Sequence, residues 1–111
     1  KYNFNFPTIV SPRSIISKNV NIGIGNIIMH DVIINSGCNI GNHNIINNKA
    51  LVEHDVKIQN YCHISTSVVI NGGCKINDNV FIGSGSILEN GVEIKKDEFI
   101  KMGSIYKKLK N

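Results

Sequence analysis

Beginning at Val10, every sixth residue of the chain is aliphatic: Val10, Ile16, Ile22, Ile28, Ile34, Ile40, Ile46, Val52, Ile58, Ile64, Ile70, Ile76, Ile82, Leu88, Ile94 and Ile100. Sixteen successive positions keep this register without a slip. Two residues earlier in each hexad, from Ser14 to Glu98, twelve of fifteen positions hold Ser, Ala, Cys or Val. The positions after each aliphatic are rich in turn formers, as in Asn35-Ser36-Gly37, Asn71-Gly72-Gly73 and Asn77-Asp78-Asn79. A short strand with two inward residues, then a turn, then another strand, is the physical translation. Hairpin proteins vary their strand and loop lengths and lose such a register quickly. Fixed periodicity of this kind builds a solenoid.

Composition agrees with strands and turns. The 111 residues include 21 Ile and 17 Asn but only three Leu, one Ala and no Trp. That mixture withholds the best helix formers and supplies β-branched and turn residues. No apolar run approaches the roughly 18 residues of a membrane span, and no secretion signal is present, so no membrane role and a cytoplasmic location are expected. Net charge is +4, with Lys95, Lys96, Lys101, Lys107, Lys108 and Lys110 gathered near the C-terminus. Nucleic-acid binders pair such charge with a recognition helix or aromatic platforms. Neither is visible, so no nucleic-acid partner is expected and the lysines read as a solvated basic tail. The chain opens on Lys1 rather than methionine, and we expect a processed or excised piece of something longer.

The hexads resemble those of left-handed parallel β-helices, in which three hexads make one triangular coil of eighteen residues. The resemblance implies an all-β fold, a hexapeptide-repeat solenoid of about five triangular coils. Residues 1–9 would be an N-terminal lead-in, 10–105 the left-handed β-helix and 106–111 a basic C-terminal tail. Cys38, Cys62 and Cys74 all fall on the small inward position, where a thiol packs as a small hydrophobe. Cys38 and Cys74 would lie two coils apart, ~10 Å and too far for a disulfide. Asn26 and Asn44 take the same inward position eighteen residues apart. They are expected to stack as an amide ladder.

The residue before each aliphatic points outward, because strand side chains alternate. Sorted by coil, one face carries Ile9, Ile27, Ile45, His63, Phe81 and Phe99, and the next Ile15, Ile33, Leu51, Val69, Ile87 and Ile105. The third carries Asn21, Asn39, Lys57, Lys75 and Glu93. Two apolar stripes of this extent mark interfaces. A cyclic homotrimer, the first face of each prism on the second face of its neighbour, would bury both. The rival is an absent domain or partner covering one stripe.

This frame separates the histidines. His54 falls on the corner between the second and third faces, while His63 projects from the first face, so the two do not meet within one chain. Across a trimer interface they could, at heights differing by ~2.4 Å, half a coil. His54 is flanked by Glu53 and Asp55. An imidazole whose second N–H is held by Asp55 makes a general base. Gly72 lies one coil above His54, where a glycine lets a ligand approach and offers an N–H to an oxyanion. His30 and His43 read as interface or solvated residues rather than as direct participants.

The stretch Val52-Glu53-His54-Asp55, with Cys62-His63-Ile64 and Asn71-Gly72-Gly73, resembles the sugar acetyltransferases of the PglD/NeuD type. The entry Phe6-Pro7-Thr8-Ile9-Val10-Ser11-Pro12 is similar too, with Ser11 where a histidine is common. The resemblance implies transfer of acetyl from acetyl-CoA, a co-substrate, to a nucleotide-linked amino sugar or to sialic acid. It makes His54 the base, Asp55 its orienting carboxylate, His63 a second histidine near the acetyl group, and Gly72 the amide on the acetyl carbonyl. It places coenzyme contacts at Ser84 and Met102, although Met102 stands where the family has a tiny residue. The lysine-rich end could attract coenzyme phosphates. Relatives also carry an N-terminal nucleotide-sugar-binding domain with no counterpart in this sequence, so the acceptor is left open. A γ-type carbonic anhydrase would need three histidines around zinc, two of them five residues apart; no pair here has that spacing, and no metal is expected. An ice-binding helix would need threonine arrays, and only Thr8 and Thr66 exist. A non-catalytic binding or structural module, or a domain inactive without its sugar-binding partner, is the remaining alternative.

Overall fold

A computed structural model describes residues 6–108. Residues 1–5 of the expected lead-in and 109–111 of the expected tail lie outside the described residues. Among those described, seventeen strands of two residues each run from Ile9–Val10 to Ile105–Tyr106. Each pairs in parallel with the strands eighteen residues before and after it, the end strands of each sheet with one of these only, as in Ile27 with Ile45 and His63 with Phe81. The result is three parallel sheets of six, six and five strands, the walls of a triangular prism. Their membership reproduces the three faces sorted from sequence, residue for residue. The chain is a left-handed parallel β-helix of the hexapeptide-repeat kind, all strand and turn, with no helix long and apolar enough to cross a membrane among the described residues.

What lets the chain turn every six residues is backbone conformation. From Gly25 to Gly103, the second residue of all fourteen corners has a positive φ, between 58° and 81°. Six are glycine, which pays nothing for this region. The other eight are Asp31, His43, Lys49, Asp55, Tyr61, Ser67, Asn79 and Asp97. Asn and Asp tolerate the left-handed region, but Tyr61 and Lys49 do not favour it locally. The stacked coils impose it, through corner hydrogen bonds such as Asp55 N–H to Ser36 O (3.0 Å) and Tyr61 N–H to Asn42 O (3.0 Å).

From Ile28 to Ile100 the aliphatic of every hexad is buried, forming one continuous core with Val32, Val56, Val68, Val80 and Val92. The first coil is less covered: Val10 retains 41 % of its surface. Polar donors at the small inward position follow one rule, except Ser14 and Ser104 at the two ends, which donate back to Ser11 O and Lys101 O. The others donate to the carbonyl fifteen residues onward, where the next coil turns its corner. Thr8 reaches Gly23 O, Cys38 Glu53 O, Cys62 Asn77 O, Cys74 Glu89 O and Ser86 Lys101 O. The three cysteines are therefore buried thiols that cap carbonyls, and burial pushes all three up from the ordinary thiol range.

Asn26 and Asn44 stack as expected, but not amide to amide. Asn26 Oδ1 accepts the backbone N–H of Asn44 (2.9 Å), and Asn44 Oδ1 that of Cys62 (2.8 Å). Their Nδ2 groups donate to Gly41 O and Gln59 O, both at 2.8 Å. The physical reason is that the backbone here carries an unpaired N–H and an unpaired C=O per coil, and one carboxamide satisfies both. A second column climbs the corner between the third and first faces. There Asn42, Asn60 and Asp78 accept the N–H groups of Ile24, Asn42 and Asn60.

Candidate active site

The corner between the second and third faces is built from Lys18, Ser36, His54, Gly72, Asn90 and Lys108, one residue per coil. His54 follows the strand Leu51–Val52 and begins the turn into Lys57–Ile58. Asp55, next in the chain, takes the left-handed conformation at φ 58°. Its carboxylate lies beside the imidazole, Oδ2 3.0 Å from His54 Nδ1. With Nδ1–H donated to the carboxylate, Nε2 is left as the proton-accepting nitrogen. Both side chains are well exposed on the single chain, 61 % and 70 %. In water such a pair adds little to stability. Its significance is orientation.

Gly72 sits directly above the ring. A Cβ added there would lie 2.5 Å from His54 Nε2 and 2.6 Å from Cε1. Gly72 has no positive φ, so its requirement is space and not conformation. The sequence explains the absence of a side chain by the approach of a ligand; in the structure the imidazole itself uses that space. Among the described residues nothing accepts the Gly72 N–H, whereas the N–H groups of Ile24, Asn42 and Asn60 on the neighbouring corner are all capped. Above Gly72 stands Asn90, and beside it the corner is open at Gly73, where a Cβ would meet only Gly91 Cα, at 3.9 Å.

His54, Asp55 and Gly72 thus share one constellation. His63 does not join it within the chain. It lies on the first face, half-buried, with its ring edge-on to Phe81 (centroids 5.2 Å), and Phe81 stacks on Phe99 (4.9 Å). Ser84 and Met102 stand on the corner between the first and second faces, at the far end of the second face from His54. Met102 is 70 % exposed, and its backbone packs against Gly83. His30, on that corner too, is hydrogen-bonded through Nδ1 to the buried Ser11 Oγ (2.7 Å). His43 stacks on Tyr61 (5.2 Å, 19°), an exposed aromatic contact that the eighteen-residue spacing of the two positions could have revealed. Among the described residues no group of three or more His, Cys, Asp or Glu could hold a metal ion.

The same fold is found in proteins of known structure. Residues 55–90 match the family model described as bacterial transferase hexapeptide (six repeats). Similar solved structures include the acetyltransferase domain of PglB from Neisseria gonorrhoeae FA1090, at 24 % identity and a TM-score of 0.88 over 90 % of this chain. The same domain in complex with acetyl coenzyme A matches at 23 % identity and 0.89 over 94 %. A His-to-Asn mutant of perosamine N-acetyltransferase from Caulobacter crescentus, with CoA and GDP-perosamine, matches at 26 % identity and 0.54 over 86 %. This chain spans about half the length of those proteins, 49 %, 52 % and 51 % respectively. No curated protein matches the sequence.

Proposed function

We propose that this chain, a hexapeptide-repeat β-helix similar to sugar acetyltransferases, moves acetyl from acetyl-CoA to the amine or hydroxyl of a nucleotide-linked amino sugar or sialic acid. One observation carries the reading: His54 is held by Asp55 at 3.0 Å and seated against Gly72, with Nε2 unengaged. Such an imidazole takes a proton from an attacking group. His54 deprotonates the acceptor as it attacks the thioester carbonyl, and the Gly72 N–H donates to the oxygen on which negative charge develops. As the carbon–sulfur bond breaks, the imidazolium returns its proton to the departing thiolate. Asp55 keeps the ring in the required tautomer throughout. The donor implies a cytoplasmic reaction.

The dyad's exposure argues for a covering surface, because water around the pair weakens every electrostatic contribution to the step. Ile9, Ile27 and Phe99 on the first face, and Ile15, Ile33, Ile87 and Ile105 on the second, are exposed apolar residues such a surface would bury. A homotrimer seats a neighbour's first face against the second, and brings the partner subunit's His63 toward His54. Incubation with acetyl-CoA and a panel of amino sugars and nucleotide-linked amino sugars should release CoA thiol and add one acetyl mass to an acceptor. Sedimentation should give three times the 12.3 kDa chain mass. A monomer at micromolar concentration would remove the trimer, and absence of donor turnover across the panel would remove the activity.

Gly72→Ala probes the seat separately. The methyl must displace the imidazole, and turnover is expected to fall about tenfold to a hundredfold, as for a misplaced catalytic group. The melting temperature should stay near that of the parent, since the nearest neighbours of the added methyl belong to an exposed ring that can swing away. Unchanged turnover in this variant would show that the ring's position is immaterial.

A further inference from the structure

Apolar residues exposed on the first and second faces would be covered by a neighbouring copy; Tyr61 and Ile24, 63 % and 44 % exposed, lie on neither face. Both stand on the corner between the third and first faces. Tyr61 takes the left-handed conformation there at φ 58°, which a bulky side chain does not favour. Its ring is braced from below. His43, one coil down, stacks on it at 5.2 Å and 19°, and the His43 ring in turn lies over Gly25, where a Cβ would collide with it. One coil above, Asn79 turns its carboxamide nitrogen away from the ring, to Asp97 Oδ1 (2.9 Å). An exposed aromatic ring backed by a second one is a stacking surface held in a fixed orientation.

Within one chain the third face separates this ring stack from His54. A three-fold assembly brings them together. Seen down the axis, all three prisms run round in the same sense, so the edges that face each other are traversed in opposite directions. When first face meets second face, the corner between the two apolar faces lies at the axis. The outer rim of each interface then carries the His54 corner of one chain and the Tyr61 corner of its neighbour. Rotation leaves heights unchanged. Along the coil Tyr61 is seven residues beyond His54 and His43 eleven before it, so both stand within ~3 Å of its height. The dyad and the ring stack face one another across a groove that opens outward. An acceptor with its amine at His54 Nε2 occupies that groove. The C–H face of a pyranose is apolar and its rim carries hydroxyls, so such a ring lies flat on tyrosine with its hydroxyls free to hydrogen-bond. The base of a nucleotide-linked sugar is held away from the reacting sugar by a ribose and two phosphates, whereas the ring stack is level with the reacting nitrogen.

We infer that the partner subunit's Tyr61, braced by the partner subunit's His43, is the stacking platform for the acceptor's sugar ring and so sets acceptor specificity. This rests on the acetyl-transfer and trimer readings. Tyr61→Asn and Tyr61→Gly replace the ring with residues native to the same column, at Asn79 and Gly25. Matched melting temperature and oligomeric mass verify that they are folded. The intact protein and both variants are titrated calorimetrically with GDP-perosamine and UDP-glucosamine, and with GDP and UDP alone. Affinity for the sugar nucleotides should fall about tenfold in the variants, while that for the bare diphosphates holds. Tyr61→Phe should match the parent. In turnover the loss should fall on the acceptor KM, with kcat and the acetyl-CoA KM preserved. Mixed trimers test which chain supplies the ring. His54→Ala and Tyr61→Asn chains assembled together regain one interface that has both residues, and at low acceptor concentration should outpace either homotrimer. Unchanged sugar-nucleotide affinity in the variants, or an equal loss for the bare diphosphates, would overturn the platform. No binding of either sugar nucleotide to the intact protein would overturn it as well. Mixed trimers no faster than the average of the two homotrimers would show that the partner does not supply it. Intact binding with no acetyl transferred would instead count against the acetyl-transfer reading, with the platform still decided by the titrations.

Discussion

Replacing His54 with alanine is expected to lower acetyl transfer by about 10²–10⁴-fold, the usual contribution of a positioned general base. The side chain is largely exposed and bonded only to the adjacent Asp55, so its removal leaves no buried group without a partner. Melting temperature and oligomeric mass should therefore match the parent. His54→Gln keeps a polar side chain and should be equally slow, which separates proton transfer from mere contact. Asp55→Asn tests the orienting role at finer grain. It retains a hydrogen-bond acceptor but not the charge, so an intermediate loss is expected. Full activity in His54→Ala, measured by thiol release with the same acceptor, would eliminate the proposed base.

Asn44→Val should strongly destabilise the fold although it is close to isosteric. Valine is native to the same inward position at Val32, Val56, Val68, Val80 and Val92, so its size and branching suit the site. What it lacks is the carboxamide. Without it the Cys62 N–H and the Gln59 carbonyl, paired with Asn44 at 2.8 Å each, lose their partners. Each stranded backbone group costs ~1–3 kcal/mol, so for the two a loss of ~2–6 kcal/mol is expected. That is a large share of the ~5–15 kcal/mol that holds a domain together. Cys74→Val at an equivalent position removes only a weak thiol donor and should cost far less. Equal denaturant midpoints for the two variants would contradict the role assigned to the asparagines.

The faces, the core and the inward cysteines were all readable because a period of six, taken three at a time, leaves each side chain one possible direction. The same arithmetic put Gly72 over His54. It could not say what fills the space above a glycine, because that depends on a rotamer, here the one that seats the imidazole under Gly72. Nor could it say that Asn26 and Asn44 bond the backbone and not each other, since both arrangements satisfy the same spacing. Tyr61 and Lys49 carry no local signal for a left-handed residue. Their conformation is a tertiary demand transmitted from the coils above and below. Lys108 falls in the segment read as a basic tail, and the repeat carried no signal for the hydrogen bond that its backbone N–H donates to Glu89 Oε1.

Every strand in this molecule bonds only to its neighbours one coil away. In such a stack, opening spreads from the ends, coil by coil, and each loss is felt mainly by the next. The end coil is the one whose Val10 is poorly covered. Counted in eighteens from Val10, residues 46–63 form the third coil, and they include His54, Asp55 and His63. Two coils lie below it and two above. The end coils can therefore open while the residues proposed to react keep their geometry, and the length of the prism serves as insulation for its middle.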